Sequence, residues 1–318
     1  MTTQTDLASL DQQLAWAQEW QAEVAASPTA ANIACMNTYL KAAKTFADAL
    51  GVDLAPPVVT PPPATGPVQP SIAKTLGFNT LHLDDRFADL SNFNEFYGPG
   101  VRWDDRGADP SPDSGSNDPK TSNDVALYTD GQVALQPGGG VQLRAQSGVP
   151  AWAQALGYQW SSGCLTSKQP LPGQFVVRVR AKRSAGSGSN WDADWFLPSN
   201  SSQEFDGFEG NWPGNQPALQ GHSKIFAGAA PEAVWPAGVD LSADFHNYDY
   251  LFVPGATGQV GVYLDDKQVW HEVLALVEEA YYLFLQLQIA SQQTQQWHLT
   301  GGAGPFVLSY QEVQVWTL

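Results

Sequence analysis

Residues 248–265, YDYLFVPGATGQVGVYLD, decide the fold class. Two short runs rich in aromatic and branched residues, Tyr248–Pro254 and Gln259–Asp265, flank a Pro-Gly break, which is the mark of successive β-strands. Working outward, the same pattern recurs at Val133–Leu135, Val141–Ala145, Gln174–Lys182, Tyr281–Ala290 and Phe306–Trp316, with Gly, Pro, Asn and Asp clusters between the runs. No helical period intervenes. Many strands over some 250 residues without helices predict a mostly β protein, a sandwich or jelly roll spanning 71–318. The Asp-rich stretch Trp103–Asp124 reads as a long surface loop, and no internal repeat stands out.

Upstream the pattern changes twice. Residues 55–70, APPVVTPPPATGPVQP, hold seven prolines and predict an extended polyproline spacer. Residues 1–54 are Ala-rich. Leu7, Leu10, Leu14, Ala17, Trp20 and Val24, then Ile33, Met36, Leu40, Ala43, Ala47 and Leu50, fall at helical steps on either side of a Ser27-Pro28-Thr29 break, and Gly51 can cap the second helix. Such a helical hairpin or coiled-coil element is too small to be stable alone. Its apolar stripes need a partner: the chain's own β-domain, sister chains, or other structural proteins. A spacer favours assembly, because it is superfluous if the hairpin packs at home.

The composition narrows the ligand. Of 318 residues 43% are hydrophobic, enough for a large core, but only 15% are charged, against a usual value of about 25%. Thirty-two acidic and fifteen basic residues give −17, which argues against a nucleic-acid groove or a polybasic membrane patch. Gln, Asn, Ser, Gly and twelve Trp suit a neutral, hydroxyl-rich ligand. Cys35 and Cys164 read as free thiols, since two cysteines cannot build a disulfide framework or a thiolate zinc site. The polar start, Met1–Gln13, predicts no cleaved secretory signal, and Ala280–Ala290 is too short and too glutamine-rich to span a bilayer.

The densest chemistry lies in residues 201–212, SSQEFDGFEGNW. Glu204 and Asp206 are two apart and share one face of a strand, whereas Glu209 would face the other way. A one-residue bulge, for which Gly207 is suited, returns Glu209 to that face. Three carboxylates so placed titrate together and retain a proton near neutrality. An ionised carboxylate beside a protonated one is what glycoside cleavage needs: one attacks, the other protonates the leaving oxygen. An acidic, solvated strand face would show the same spacing.

The neighbouring segments add to this. WDADWFLP at 191–198 precedes the motif, with GCLTSK at 163–168 and GQFVVR at 173–178 further upstream. Downstream stand DLSADFHNY at 240–248, VYLDDK at 262–267 and YYLFLQL at 281–287. In this order the segments resemble glycoside hydrolase family 16, the laminarinase, lichenase and agarase group, over about residues 76–318. The resemblance implies a concanavalin A-like β-sandwich jelly roll. It makes Glu204 the nucleophile, Asp206 its hydrogen-bonded assistant and Glu209 the general acid/base. It also makes Trp191 and Trp195 sugar-stacking indoles, His222 a substrate-contacting histidine and Arg178 a strand arginine that binds a hydroxyl; Trp212 is added from proximity as a cleft edge. Each tryptophan can equally be a core residue, His222 a loop histidine and Arg178 a surface one.

Some positions depart from the family pattern. Gln203 stands where a small residue is usual and is expected to crowd the cleft. GQFVVR has lost a basic and an acidic residue. The last strand, Val313-Gln314-Val315-Trp316, lacks the Asp that commonly helps hold a structural calcium, so no metal is expected. His82, His246, His271 and His298 show no ligand pairing, and no cofactor is expected. Two functions remain open: a retaining, endo-acting hydrolase of a β-linked polysaccharide, and a glycan-binding protein on the same scaffold with catalysis weak or lost. The helical element, the spacer and the missing signal suggest a chain carried on a larger particle such as a bacteriophage tail, with a virion or extracellular location.

Overall fold

The computed structural model describes residues 67–87, 126–129, 132–135, 140–167, 170–185, 190–200, 202–210, 218–289 and 304–318. The predicted helical element 1–54, the spacer as far as residue 66, the loop at 103–124, Cys35, Trp212 and His298 lie outside the described residues.

Two sheets stack face to face, their strands numbered in chain order. The larger runs β14 (Lys267–Leu276), β13 (Gly255–Leu264), β12 (His246–Val253), β7 (Phe175–Lys182), β16 (Phe306–Thr317), β4 (Val141–Ser147), β5 (Trp160–Ser162) and β2 (Ala126–Tyr128). Strands β1 (Thr80–Asp85) and β3 (Val133–Leu135) join it beside β16 and β4. The smaller runs β11 (Glu232–Pro236), β10 (Gln220–Ile225), β9 (Phe205–Glu209), β8 (Asn190–Pro198), β15 (Tyr281–Ile289) and β6 (Cys164–Thr166). Every pairing but β2 with β5 is antiparallel. The mostly β reading therefore holds, and the alternating runs fall on strands.

Alternation fills the space between the sheets. Phe175 of β7 stacks on Phe196 of β8 at 5.3 Å and on Phe252 of β12 at 5.5 Å, and Phe196 stacks on Phe205 of β9 at 5.1 Å. Charged groups lie in this layer as well. Arg183, just after β7, gives both terminal nitrogens to Asp194 of β8, at 3.0 and 2.5 Å. Its guanidinium carbon is 3.8 Å from the centre of the Phe208 ring and 4.0 Å from that of Tyr248. Tyr250 and Tyr310 donate their hydroxyls to the same carboxylate, at 2.5 and 2.7 Å. Burial opposes the charge on Arg183, but Asp194 more than offsets it and holds the guanidinium pKa well above its ordinary value.

Two single-turn helices correct the expectation of none: α1 (Ser71–Leu76) and α2 (Ala151–Leu156). Both follow a proline and end at a left-handed glycine, Gly77 (φ 81°) or Gly157 (φ 106°). In each the aromatic N–H after the glycine bonds back into the last turn, Phe78 to Ala73 at 2.9 Å and Tyr158 to Ala153 at 3.2 Å. The sequences PSIAKTLGF (70–78) and PAWAQALGY (150–158) carry this shared stop signal.

Helix α1 packs Ala73, with Phe78 behind it, onto Val176, Leu251, Tyr263 and Trp316, the outer face of the larger sheet. There Arg178 of β7 forms a two-pronged pair with Asp249 at 2.7 and 2.8 Å. It also reaches Asp266 at 3.0 Å and the Val68 carbonyl at 3.4 Å. Two expectations are corrected here. Residues 67–70 are drawn onto the β-domain rather than continuing the spacer, and Arg178 lies on the sheet and the face away from the carboxylate motif. Its guanidinium is spent on this clasp. Replacing Arg178 by Met strands the Asp249 carboxylate, which is 0% exposed, and is expected to lower stability by roughly 2–3 kcal/mol. Urea unfolding of the variant beside the wild type checks it.

Candidate active site

The motif lies on β9 of the smaller sheet. Phe205 and Phe208 point into the core at 0% exposure, whereas Asp206 and Glu209 point outward with Glu204 just before the strand. Strict alternation cannot give that pattern over these positions. The register shows how it arises: Asp194 pairs with Phe208 and Trp195 with Asp206 on one side, and His222 pairs with Glu209 and Lys224 with Asp206 on the other. Gly207 is the surplus residue against both neighbours, so the expected bulge is present. Space rather than dihedral freedom requires glycine here. A Cβ would lie 2.5 Å from the Tyr250 ring and 3.2 Å from the Asp194 carbonyl.

On this outer face Asp206 and Glu204 share a side-chain hydrogen bond. Burial, followed by the nearby Glu209 charge, pushes Glu204 up to about 7, while the bond to Asp206 and the charge of Lys224 pull the other way. Asp206 is raised well above the usual carboxylate range, by burial first and then by Glu209 and Glu204. Asp206 thus keeps its proton and donates it to Glu204, which becomes the carboxylate of the pair.

Glu209 has a different partner. Its Oε2 stands 2.9 Å from His222 Nδ1, and the other ring nitrogen faces Glu232 Oε2 of β11 at 3.4 Å. Lys224 Nζ meets the same Glu232 oxygen at 3.2 Å. His222 is 1% exposed, so it is clasped between two carboxylates rather than held out toward solvent. Lys224 and Glu232 were missed in the sequence; His222 and Lys224 alternate after the motif, which is the signal that would have found them.

Trp191 and Trp195 do fall on the carboxylate face, Trp195 directly across from Asp206. They do not present open indoles, being 8% and 7% exposed. Trp195 stacks on Phe284 at 4.3 Å and donates its N–H to Gln286 at 2.9 Å. Gln203 does not crowd the face: its side-chain oxygen accepts the Val277 N–H at 2.7 Å. Gln314 of the last strand donates to Glu312 at 2.7 Å and accepts from Trp316 at 3.0 Å. Among the described residues, no group of three or more His, Cys, Asp or Glu is placed to hold a metal ion.

Solved structures share the fold. The catalytic domain of an endo-1,3-β-glucanase (laminarinase) from Thermotoga petrophila superposes with a TM-score of 0.55 at 17% identity, over 74% of this chain and 97% of that one. The laminarinase catalytic domain from Thermotoga maritima gives 0.56 at 16%, over 75% and 98%. SCLam, a non-specific endo-β-1,3(4)-glucanase from glycoside hydrolase family 16, gives 0.56 at 19%, over 75% and 91%. The chain has their fold. No family model and no curated protein matches the sequence. The β-domain is therefore similar to β-glucanases across nearly their whole length, and the carboxylates of β9 lie on the outer face of a sheet in that shared sandwich.

Proposed function

We propose that the β-domain is a retaining, endo-acting hydrolase of a neutral β-linked polysaccharide. The observation that carries this is the Gly207 bulge, which gathers Glu204, Asp206 and Glu209 on one outward face with a shared proton between the first two. Glu204 attacks the anomeric carbon while Glu209 protonates the departing oxygen. Glu209 then draws a proton from water, which releases the sugar from Glu204. Asp206 donates to Glu204 and stabilises it as a leaving group in the second step. The fold shared with endo-β-glucanases supports the same reading, and a β-glucan is the first substrate to try. Neutrality follows from the charges. Lys224, beside the motif, is already held by Glu232, so a sulfated or uronate polymer would meet unbalanced negative charge.

The test is release of reducing ends from laminarin, lichenan, agarose and a bacterial wall polysaccharide. Cleavage of a neutral β-glycan with retained anomeric configuration is expected; no release from any of them would overturn the hydrolase. Binding without release would favour the second reading, a glycan-binding protein on the same fold. On the sequence of residues 1–70, we further propose that the domain is carried on a larger assembly, such as a phage tail.

A pH profile follows from Glu204. Attack requires its ionised form, so kcat/KM should fall as pH drops through about 7 rather than through the ordinary glutamate range. An acid limb near 4.5 in initial rates would show that Glu204 is not raised in the free enzyme.

A further inference from the structure

A bulge leaves backbone groups outside the regular ladder, and the carbonyl of Gly207 has a dedicated partner. Ser223 of β10 donates its hydroxyl to the Gly207 carbonyl at 2.7 Å, and Trp235 of β11 donates its indole N–H to the Ser223 oxygen at 2.9 Å. Ser223 is 0% exposed and Trp235 is 3% exposed. The indole lies on Gly221, where a Cβ would come within 2.2 Å of it, and meets Phe208 edge-on at 5.9 Å. The edge strand thus reaches beneath β10 to the one position on β9 where the register slips. No water competes for these bonds, and the donor order is fixed because an indole can only donate.

We propose that Ser223, backed by Trp235, is a positioning residue that locks the Gly207 bulge and so fixes where Glu209 stands relative to Glu204 and Asp206. Without the hydroxyl the Gly207 carbonyl loses its partner. The two-against-one register can then relax along the strand, and a slip of one position turns Glu209 to the other face. Only the kinetic consequence rests on the hydrolase reading; the geometric one does not.

Three variants of the full chain separate the outcomes: Ser223→Ala, Ser223→Thr, and Trp235→Phe, which keeps the ring and removes the N–H. Two readouts are taken. One is kcat and KM on laminarin or lichenan, normalised to folded protein. The other is the titration of Glu204 by carbon-13 carboxyl NMR, assigned with Glu204→Gln. Glu204 faces Asp206 and Glu209 from β9 and Lys224 from β10, so it reports whether the Glu209 charge has moved. With Ser223→Ala, kcat is expected to fall by about 10–100-fold with KM within about threefold, the cost of a misplacement near 1 Å. Glu204 should titrate lower than in the wild type. Ser223→Thr should restore both, and Trp235→Phe should fall between. A folded Ser223→Ala with wild-type kcat and an unchanged Glu204 titration overturns the proposal, as does a loss confined to melting temperature. If Ser223→Ala does not fold, Trp235→Phe decides by the same two criteria. If the wild type cleaves neither glycan, the hydrolase reading falls and the titration alone decides the clamp.

Discussion

Glu204→Gln is expected to lower kcat/KM by roughly 10⁴-fold or more while leaving glycan affinity within about threefold of wild type, the order of loss when a covalent nucleophile is removed. The separation follows from the site. An amide oxygen can accept the Asp206 proton as the carboxylate does, so the outer face and the bulge keep their shape. What disappears is the anion that attacks the anomeric carbon. Calorimetric titration with an oligosaccharide and reducing-end release by the same preparation measure the two halves. In Glu204→Ala, azide can enter the vacated volume and attack from the side that Glu204 occupied, with Glu209 protonating the departing oxygen. The product is then a glycosyl azide of inverted configuration. Residual turnover within tenfold of wild type in Glu204→Gln would show that the nucleophile is another group.

The largest loss of stability is expected at Arg183. Arg183→Met is close in volume, yet it leaves Asp194 wholly enclosed with only the Tyr250 and Tyr310 hydroxyls to answer its charge. Removing one member of a buried pair costs about 3–5 kcal/mol, because the survivor keeps its desolvation penalty. For a domain of this size that is a fall in melting temperature on the order of 10 °C. The loss should be smaller in Arg183→Met/Asp194→Leu, where the Asp194 charge goes with its partner. Differential scanning calorimetry of the single and double variants tests this; equal or greater loss in the double variant would show that packing against Phe208 and Tyr248, not charge, dominates.

These two sites differ in how openly the sequence displays them. The bulge was legible because parity forces it: Phe205 and Phe208 must both be inward if the three carboxylates share a face, and Gly207 supplies the surplus residue. The family resemblance likewise put both indoles beside the carboxylates. Their burial was hidden, because the stacking partner of Trp195 is Phe284, far along the chain on β15. Arg178 was misplaced for a related reason. FVVRVRAK shows which residues alternate, but not which of four sheet faces they end on, nor that α1 and Val68 cover that face. Asp194 and Arg183 gave no signal at all, since a charged pair sunk in a core is recognisable only after the strands are assembled. The proline-to-glycine helices were readable in principle from the likeness of residues 70–78 and 150–158, and a search for long runs alone passed them by.

The clasp around Arg178 also gives the domain a direction. Residues 67–79 lie on the outside of the larger sheet, and the β9 carboxylates lie on the outside of the smaller one, with the whole thickness of the sandwich between them. Anything joined to the chain upstream of Pro67 pulls from the back, so a tethered domain would turn its working face away from its anchor. Tension on that tether would load the bidentate Arg178–Asp249 contact before it reached β9. The clasp is in that sense a strain relief, letting the body be tugged at one pole while the chemistry at the other stays in register.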